Sequence, residues 1–154
     1  MKSTLRIALV LLAAFLLTLV LFAVLSRETT EQLTVNGEEF TVRVADTPVS
    51  RYRGLSGVER SDLQKDAEGM AFVYGSPEVR NFVMRGMKFP LDFVWVRNGI
   101  VVNVDEDVPA PKEGEEPRKI SSDPLTADTV LEFPAGFAKT HDLFIGMSVS
   151  LKGQ

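Results

Sequence analysis

The sequence predicts a mainly β domain, built as a small jelly-roll-like β-sandwich or partly open barrel with one or two short helices, behind a single N-terminal transmembrane helix. Three observations lead to it: an almost unbroken apolar run near the N-terminus, short strand-like segments separated by turn residues after it, and no long amphipathic helix pattern among them. The chain divides accordingly into an anchor at residues 1–26, a short linker at 27–32 and one β domain at 33–154.

Composition excludes several kinds of site. The 154 residues include no cysteine, which rules out a disulfide framework, a thiolate zinc site, an iron–sulfur cluster and a cysteine nucleophile. The formal net charge of −4 argues against a nucleic-acid partner, because binding to a phosphate backbone needs a basic face. We assign no cofactor and no metal site from the sequence.

The apolar run Ile7–Leu25 is long enough to cross a membrane. Its 19 residues, interrupted only by Thr18, span about 28 Å as a helix, close to the roughly 30 Å of the hydrocarbon core. Lys2 and Arg6 precede it, so the positive-inside rule places the N-terminus in the cytoplasm and the β domain outside the cell membrane. The alternative is a signal peptide cleaved near Ser26, although the run exceeds the usual length of about 7–15 residues for such a segment.

Two Asn-Gly pairs, Asn36-Gly37 and Asn98-Gly99, predict β-hairpins, because both positions of a two-residue hairpin turn favour residues that tolerate positive φ. Alternating or apolar segments flank each pair, and similar segments recur along the chain. The predicted strands are Gln32–Val35, Phe40–Val44, Gly69–Tyr74, Arg80–Met84, Leu91–Val96, Ile100–Val104, Thr129–Phe133 and Met147–Leu151.

Other segments break the strand pattern. Thr47 and Pro48 predict the N-cap and first turn of a short helix over Val49–Leu55. A single helical turn is predicted within Gly136–Asp142. Asp105–Asp128 is predicted to be a long exposed loop, because it contains four prolines and almost no large apolar side chain.

The turn sequences, read in order, form a series of motifs. They are Val44–Pro48, Arg53–Gly57, Glu68–Tyr74, Phe82–Asp92, Leu131–Gly136 and Gly146-Met147. In this order they resemble the bacterial and archaeal family known as domain of unknown function 192, over about Leu33 to Leu151. The resemblance implies a small, mostly β sandwich of jelly-roll type with a short helix after the first hairpin, in members that are often exported or membrane-anchored. It implies no activity, because none is established for the family.

The chain departs from the usual pattern of that family at several positions. The family usually has tryptophan where Val83 stands, Asn-Thr where Gly86-Met87 stand, and often aspartate where Met147 stands. If the tryptophan and asparagine serve a ligand in other members, the resemblance implies that this chain binds a different ligand or binds it weakly.

The candidate ligand site consists of Arg53, Arg85 and Asp92, charged members of these motifs. Asp92 lies between apolar Leu91 and Phe93, where burying an unpaired carboxylate would be too costly. Arg53 is a suitable partner, because its planar guanidinium can bind a carboxylate through two N–H groups. The alternative is a purely structural ion pair that holds the helix to the sheet.

Two other chemistries remain open alongside this site. A hydrolase-like enzyme would use Asp92 or Glu132 with His141, the single histidine of the chain. A Cu(I) binder would use methionine thioethers outside the cytoplasm. The methionines considered are Met70, Met84, Met87 and Met147. We expect a ligand-binding or envelope-interaction module rather than an enzyme, with the membrane and a small-molecule or envelope ligand as partners, and we assign no catalytic residue.

Overall fold

The computed structural model describes residue 7, residues 11–18 and residues 29–152. Residues 11–18 are helical, and their large apolar side chains are exposed. Within these described ranges, no helix has both the length and the apolar character needed to span a bilayer. The predicted anchor Ile7–Leu25, with Lys2 and Arg6, falls largely outside the described residues and stays a prediction. The expected linker at 27–32 is shortened, because the first strand already begins at Thr29.

The mainly β prediction is confirmed. Residues 29–152 form nine strands and three short helices. The strands are β1 (Thr29–Val35), β2 (Glu38–Ala45), β3 (Gly69–Glu78), β4 (Asn81–Val83), β5 (Leu91–Arg97), β6 (Ile100–Val108), β7 (Lys119–Ser121), β8 (Ala127–Pro134) and β9 (Val149–Leu151). The helices are α1 (Pro48–Arg53), α2 (Arg60–Leu63) and α3 (Phe137–Thr140). The sequence did not predict α2, which is only four residues long.

One curled sheet dominates the fold. Seven strands pair in the order β6-β5-β8-β3-β2-β1-β9, and β4 pairs with β7 in a separate two-stranded sheet. The two edges of the large sheet meet at a bridge between Ile100 and Ser148, beside which the amide of Val101 donates to Met147 O at 2.9 Å. Of the two predicted forms, the partly open barrel describes this curled sheet, and a sandwich of two facing sheets does not.

The pair formed by β2 and β3 is parallel, whereas the other strand pairs in the described residues are antiparallel. A parallel pair needs a crossover, and here it runs through residues 46–68 and contains α1 and α2. The crossover therefore places both helices beside the sheet, on the face opposite the inside of the curl.

Two apolar cores occupy the two faces of the curled sheet. On β5, Val94 and Val96 belong to the inner core, whereas Phe93 and Trp95 belong to the outer core beneath the crossover. Because β5 is buried on both faces, its sequence from Leu91 onward shows an apolar run rather than an alternation.

Helix α1 begins as the sequence predicts. Thr47 accepts a hydrogen bond from the amide of Ser50 at 3.1 Å, and Ser50 Oγ accepts one from the amide of Thr47 at 3.0 Å. This reciprocal capping box, followed by Pro48 in the first turn, fixes the start of the helix. The helix ends at Arg53, two residues before the predicted end at Leu55, and it is followed by Gly54, whose φ of +49° favours glycine.

The prediction of a long exposed loop over Asp105–Asp128 is wrong in part. Strand β6 continues to Val108, which is buried, and Asp105 accepts a hydrogen bond from Trp95 Nε1 at 2.6 Å. Strand β7 forms within the same segment, because Ile120 buries its side chain opposite Phe82 of β4. Both strands are stabilised by contacts with residues distant in the sequence. The local composition, rich in proline and glutamate, therefore does not predict them.

Candidate functional site

A cavity of about 270 Å³ lies on the outer face of the sheet, between α1 and residues 81–87, which contain β4 and are called the β4 segment. Polar side chains from α1, β3, β8 and the turn after β4 line it, and aromatic and aliphatic side chains complete its wall. The polar or charged side chains include Arg51, Tyr52, Arg53, Tyr74, Arg85 and Glu132, and the apolar ones include Phe72, Phe82, Val83 and Met87. Arg53 and Arg85, which the sequence places in the candidate site, thus line one cavity.

The arginines of this cavity differ in how many of their guanidinium N–H groups are hydrogen-bonded to the protein. Arg51 donates to the backbone carbonyls of Asp46 and Val73, the latter at 2.8 Å, so it fixes α1 against the sheet. Arg53 is exposed, and its guanidinium makes no hydrogen bond or ion pair with the described residues. Arg85 is also exposed and lies 4.8 Å from the ring centre of Tyr52. Arg53 and Arg85 therefore carry N–H donors that a ligand can use.

Glu132 is the buried carboxyl group of the cavity. Its side chain is 5% exposed, and burial raises its pKa to about 8. No hydrogen-bond donor among the described residues contacts the carboxyl oxygens. At neutral pH the group is therefore mainly protonated, and a neutral carboxylic acid can donate a hydrogen bond as well as accept one.

Tyr74 lines the same cavity as Glu132. Burial raises the pKa of Tyr74, while the positive charges of Arg80 and Arg51 act in the opposite direction. The Arg80 guanidinium lies 3.8 Å from the ring centre, and the Arg51 guanidinium lies 4.9 Å from it. Tyr74 is thus held between two cations whose own donors are bound to backbone carbonyls.

Asp92 does not belong to this cavity, and the predicted pairing with Arg53 is wrong. Its carboxylate is fully buried and accepts two backbone hydrogen bonds, from Asp107 at 2.8 Å and from Ala138 at 2.9 Å. Two amide donors satisfy the buried charge without a cation. Asp92 therefore joins β5 to β6 and α3, which is a structural position.

The residues of the hydrolase alternative do not meet. His141 binds Glu38 Oε1 through Nδ1 at 3.0 Å and packs against Phe40, with ring centres 4.9 Å apart. It lines a different pocket from Glu132, and Asp92 lines neither of these two. The proposed arrangement of His141 with Asp92 or Glu132 is therefore wrong.

The methionines proposed for Cu(I) are divided between the two cores. Met147 is buried in the inner core, and Met70, Met84 and Met87 are buried in the outer core. Four thioethers on two faces of a sheet cannot share one ion. Met87 alone among them reaches the cavity wall.

Sequence reasoning did not place Tyr52, Tyr74 or Arg51 at the site. One signal was present for Glu132, since an ionisable residue in the apolar stretch Val130–Phe133 marks either an ion pair or a buried acid. Two positions where the chain departs from the pattern described above, Val83 and Met87, also line the cavity.

Comparison with known proteins gives the fold and the family. The crystal structure of a proposed transcription regulator from Sinorhizobium meliloti 1021 is similar over 82% of this chain and 97% of its own, with a TM-score of 0.68 and 24% identity. A protein of unknown function from Novosphingobium aromaticivorans DSM 12444 is similar over 81% of this chain and 87% of its own, with a TM-score of 0.66 and 24% identity. No curated protein matches. The profile of DUF192, described as an uncharacterised family, matches residues 31–151, and the chain belongs to this family.

Proposed function

We propose that the protein is a membrane-anchored binding module whose extracytoplasmic cavity takes a small anionic ligand with an apolar part. The observation that carries the proposal is the pair Arg53 and Arg85, two exposed guanidinium groups on a cavity whose one buried carboxyl, Glu132, is mainly neutral at pH 7.

Charge favours an anion. With Glu132 protonated, the two guanidinium groups are not neutralised from within the cavity wall, although the chain as a whole is acidic. A guanidinium binds carboxylate or phosphate oxygens through two parallel N–H groups, so either class of anion suits Arg53 and Arg85. The protonated Glu132 supplies a further donor to a ligand oxygen.

The apolar wall favours a ligand with a hydrocarbon or aromatic part. Phe72 and Met87 are buried, Phe82 is half-buried, and Val83 is 45% exposed beside them. Val83 and Met87 stand where the family usually has larger or more polar side chains, which supports a ligand preference different from that of other members.

Anchoring is proposed from the apolar run Ile7–Leu25. The exposed apolar side chains of the helical residues 11–18 support it, because such side chains are expected to contact lipid. N-terminal sequencing of the protein from membrane fractions tests it. A mature chain that begins near Arg27 would show that the segment is a cleaved signal peptide.

The ligand proposal is tested by thermal unfolding and calorimetry of the full chain in detergent. Small carboxylates, phosphate esters and acidic cell-wall fragments are the probes, and uncharged analogues of the same compounds are the controls. We expect an anionic probe in excess over its dissociation constant to raise the unfolding temperature, and we expect Arg53→Gln to abolish the shift. Arg97→Gln, an exposed arginine outside this cavity, is the matched control. Equal responses of both variants, or no response to any anion, would contradict the proposal.

A further inference from the structure

One end of the curled sheet carries both the cavity and the first described residue of the domain. Thr29 pairs with Val44 near the end of β2, and α1 begins at Pro48 after a turn of two residues. In the parallel pair, Ala45 lies opposite Phe72 of the cavity wall. The start of β1, helix α1 and the cavity therefore share one end of the sheet.

Helix α1 exposes apolar and basic side chains at this end. Val49 is 69% exposed and Tyr52 is 75% exposed, although both are large apolar or aromatic residues. Arg53 follows on the same helix, and Arg85 lies against the ring of Tyr52. We call these four residues the α1 face. An aliphatic side chain, a tyrosine and arginines in one patch are typical of the interface between lipid headgroups and hydrocarbon.

The length of the tether limits where this end can be. From Leu25, the last residue of the apolar run, to Thr29 the chain takes four Cα–Cα steps through three intervening residues. Even fully extended, these residues reach at most about 14 Å. If the run crosses the bilayer, Thr29, which lies at the end of the sheet that holds α1, must be within this distance of the membrane surface.

We propose that the α1 face docks on the bilayer, with Val49 and Tyr52 among the lipid headgroups and with Arg53 and Arg85 on anionic lipid phosphates. This proposal rests on the proposed anchoring and on the anion-binding role proposed for Arg53 and Arg85, and it names a lipid phosphate as the anion that they bind at the membrane. The exposed acid Asp46 lies at the same end, and its backbone carbonyl accepts a hydrogen bond from Arg51. The docked domain presents its cavity toward the lipid surface.

The opposite end of the sheet provides a control of similar exposure. Phe144 is 60% exposed and Ile145 is 62% exposed, in the turn before β9. This turn lies at the Asn36 end of β1, because the amide of Asn36 donates to Ser148 O at 2.9 Å. The six Cα–Cα steps along the seven residues of β1 separate the two ends by about 20 Å, at about 3.4 Å per step. The α1 face and the Phe144–Ile145 turn are therefore similar in exposure. They differ in their distance from Thr29, where the chain from the proposed anchor enters the domain.

Spin labelling of the full chain tests the orientation directly. Because the chain has no cysteine, the single variants Val49→Cys and Phe144→Cys each carry one label. The proteins are reconstituted into vesicles of phosphatidylcholine and phosphatidylglycerol, and collisions of the label with lipid-soluble oxygen and with a water-soluble nickel chelate are compared. We expect the label at position 49 to collide mainly with oxygen and the label at position 144 mainly with the chelate. Chelate contact at position 49, or oxygen contact at position 144, would overturn the proposal.

A second arm tests the charges. Arg53→Gln combined with Arg85→Gln should return the label at position 49 to water, and so should vesicles of phosphatidylcholine alone. Arg97→Gln should leave its lipid contact unchanged. If lipid contact persists without the two arginines or without the anionic lipid, recognition of lipid phosphates is wrong.

Flotation of the vesicles separates the two proposals. A chain that does not float with the vesicles lacks the anchor, which overturns the anchoring and the docking together. A chain that floats and keeps position 49 in water overturns the docking alone. Anion binding in detergent is measured independently of both.

Discussion

The backbone amide of Ala138 donates a hydrogen bond to Asp92 Oδ2 at 2.9 Å, although the two residues are 46 positions apart in the sequence. The other carboxylate oxygen of Asp92 accepts the amide of Asp107 at 2.8 Å. One fully buried acid thus connects β5 to the start of α3 and to β6, and its loss leaves two donors without an acceptor.

We expect Asp92→Ala to lower the free energy of unfolding by about 3 kcal/mol, because hydrogen bonds to a charged acceptor contribute about 1.5–3 kcal/mol and the freed amides stay buried. Urea denaturation measures it. Glu113→Ala removes an exposed acid from a loop and should change the free energy by less than about 0.5 kcal/mol. A similar small loss for both variants would show that water satisfies the two amides.

Glu132 should make stability depend on pH. Its pKa is raised to about 8 in the folded protein from 4.5, so the folded state holds a proton that the unfolded state has released between these values. Stability from this group is therefore present in full below about pH 4.5 and falls as pH rises toward 8, by up to about 1.4 kcal/mol per pH unit.

Glu132→Gln should remove this slope, since an amide does not titrate. The measurement is urea denaturation of both proteins from pH 5 to pH 9, and the difference between the two curves isolates the carboxyl from other titrating groups. Parallel curves would mean that the carboxyl ionises normally in the cavity.

Gly69 should not tolerate a side chain. A Cβ atom at this position would lie 2.4 Å from the backbone oxygen of Glu132 and 2.5 Å from Phe133 Cδ1. We expect Gly69→Ala to destabilise the fold by about 2–3 kcal/mol, because β3 and β8 must separate. Gly75→Ala, on the same strand with nothing within 4 Å, should change the melting temperature little. Equal melting temperatures for the two variants would contradict the close approach.

Val83→Trp places in the cavity wall the larger side chain that the family resemblance implies for this position. Val83 is 45% exposed, so the fold should accept the larger ring. Because the indole would fill part of the cavity, we expect the affinity for the anionic probe to fall at least about tenfold. This corresponds to a loss of about 1.4 kcal/mol in binding free energy. Val79→Trp, at 42% exposure outside the cavity, should leave affinity unchanged in the same calorimetric titration. Unchanged affinity in both variants would place the ligand elsewhere.

Local signals predicted the hairpins and the first helix. Asn36 and Asn98 both adopt positive φ, near +50°, as the Asn-Gly pairs indicate, and Thr47 caps α1. These features depend on residues within four positions of one another. For this reason the sequence alone is sufficient to predict them.

Features that depend on distant partners were missed or misassigned. The sequence suggests Arg53 as the partner of Asp92, because a buried carboxylate in an apolar strand usually needs a cation. In the structure, the backbone amides of Asp107 and Ala138 donate to this carboxylate instead. The sequence does not show that these two amides, 15 and 46 positions from Asp92, lie next to its side chain in the fold. Arg53 and Arg85 were placed in one site, and they do line one cavity, although the family motifs rather than spacing brought them together.

The parallel pairing of β2 and β3 has a consequence for how the protein persists in a cell. The cavity wall draws on the crossover, on β3, on the β4 segment and on β8, so it is complete only when the sheet has closed. Pairing of this kind between distant segments is slow to form, and incompletely folded chains lack the cavity. If the cavity binds the proposed anion, binding stabilises only the folded chain, and fewer chains are open to proteases when the ligand is in excess.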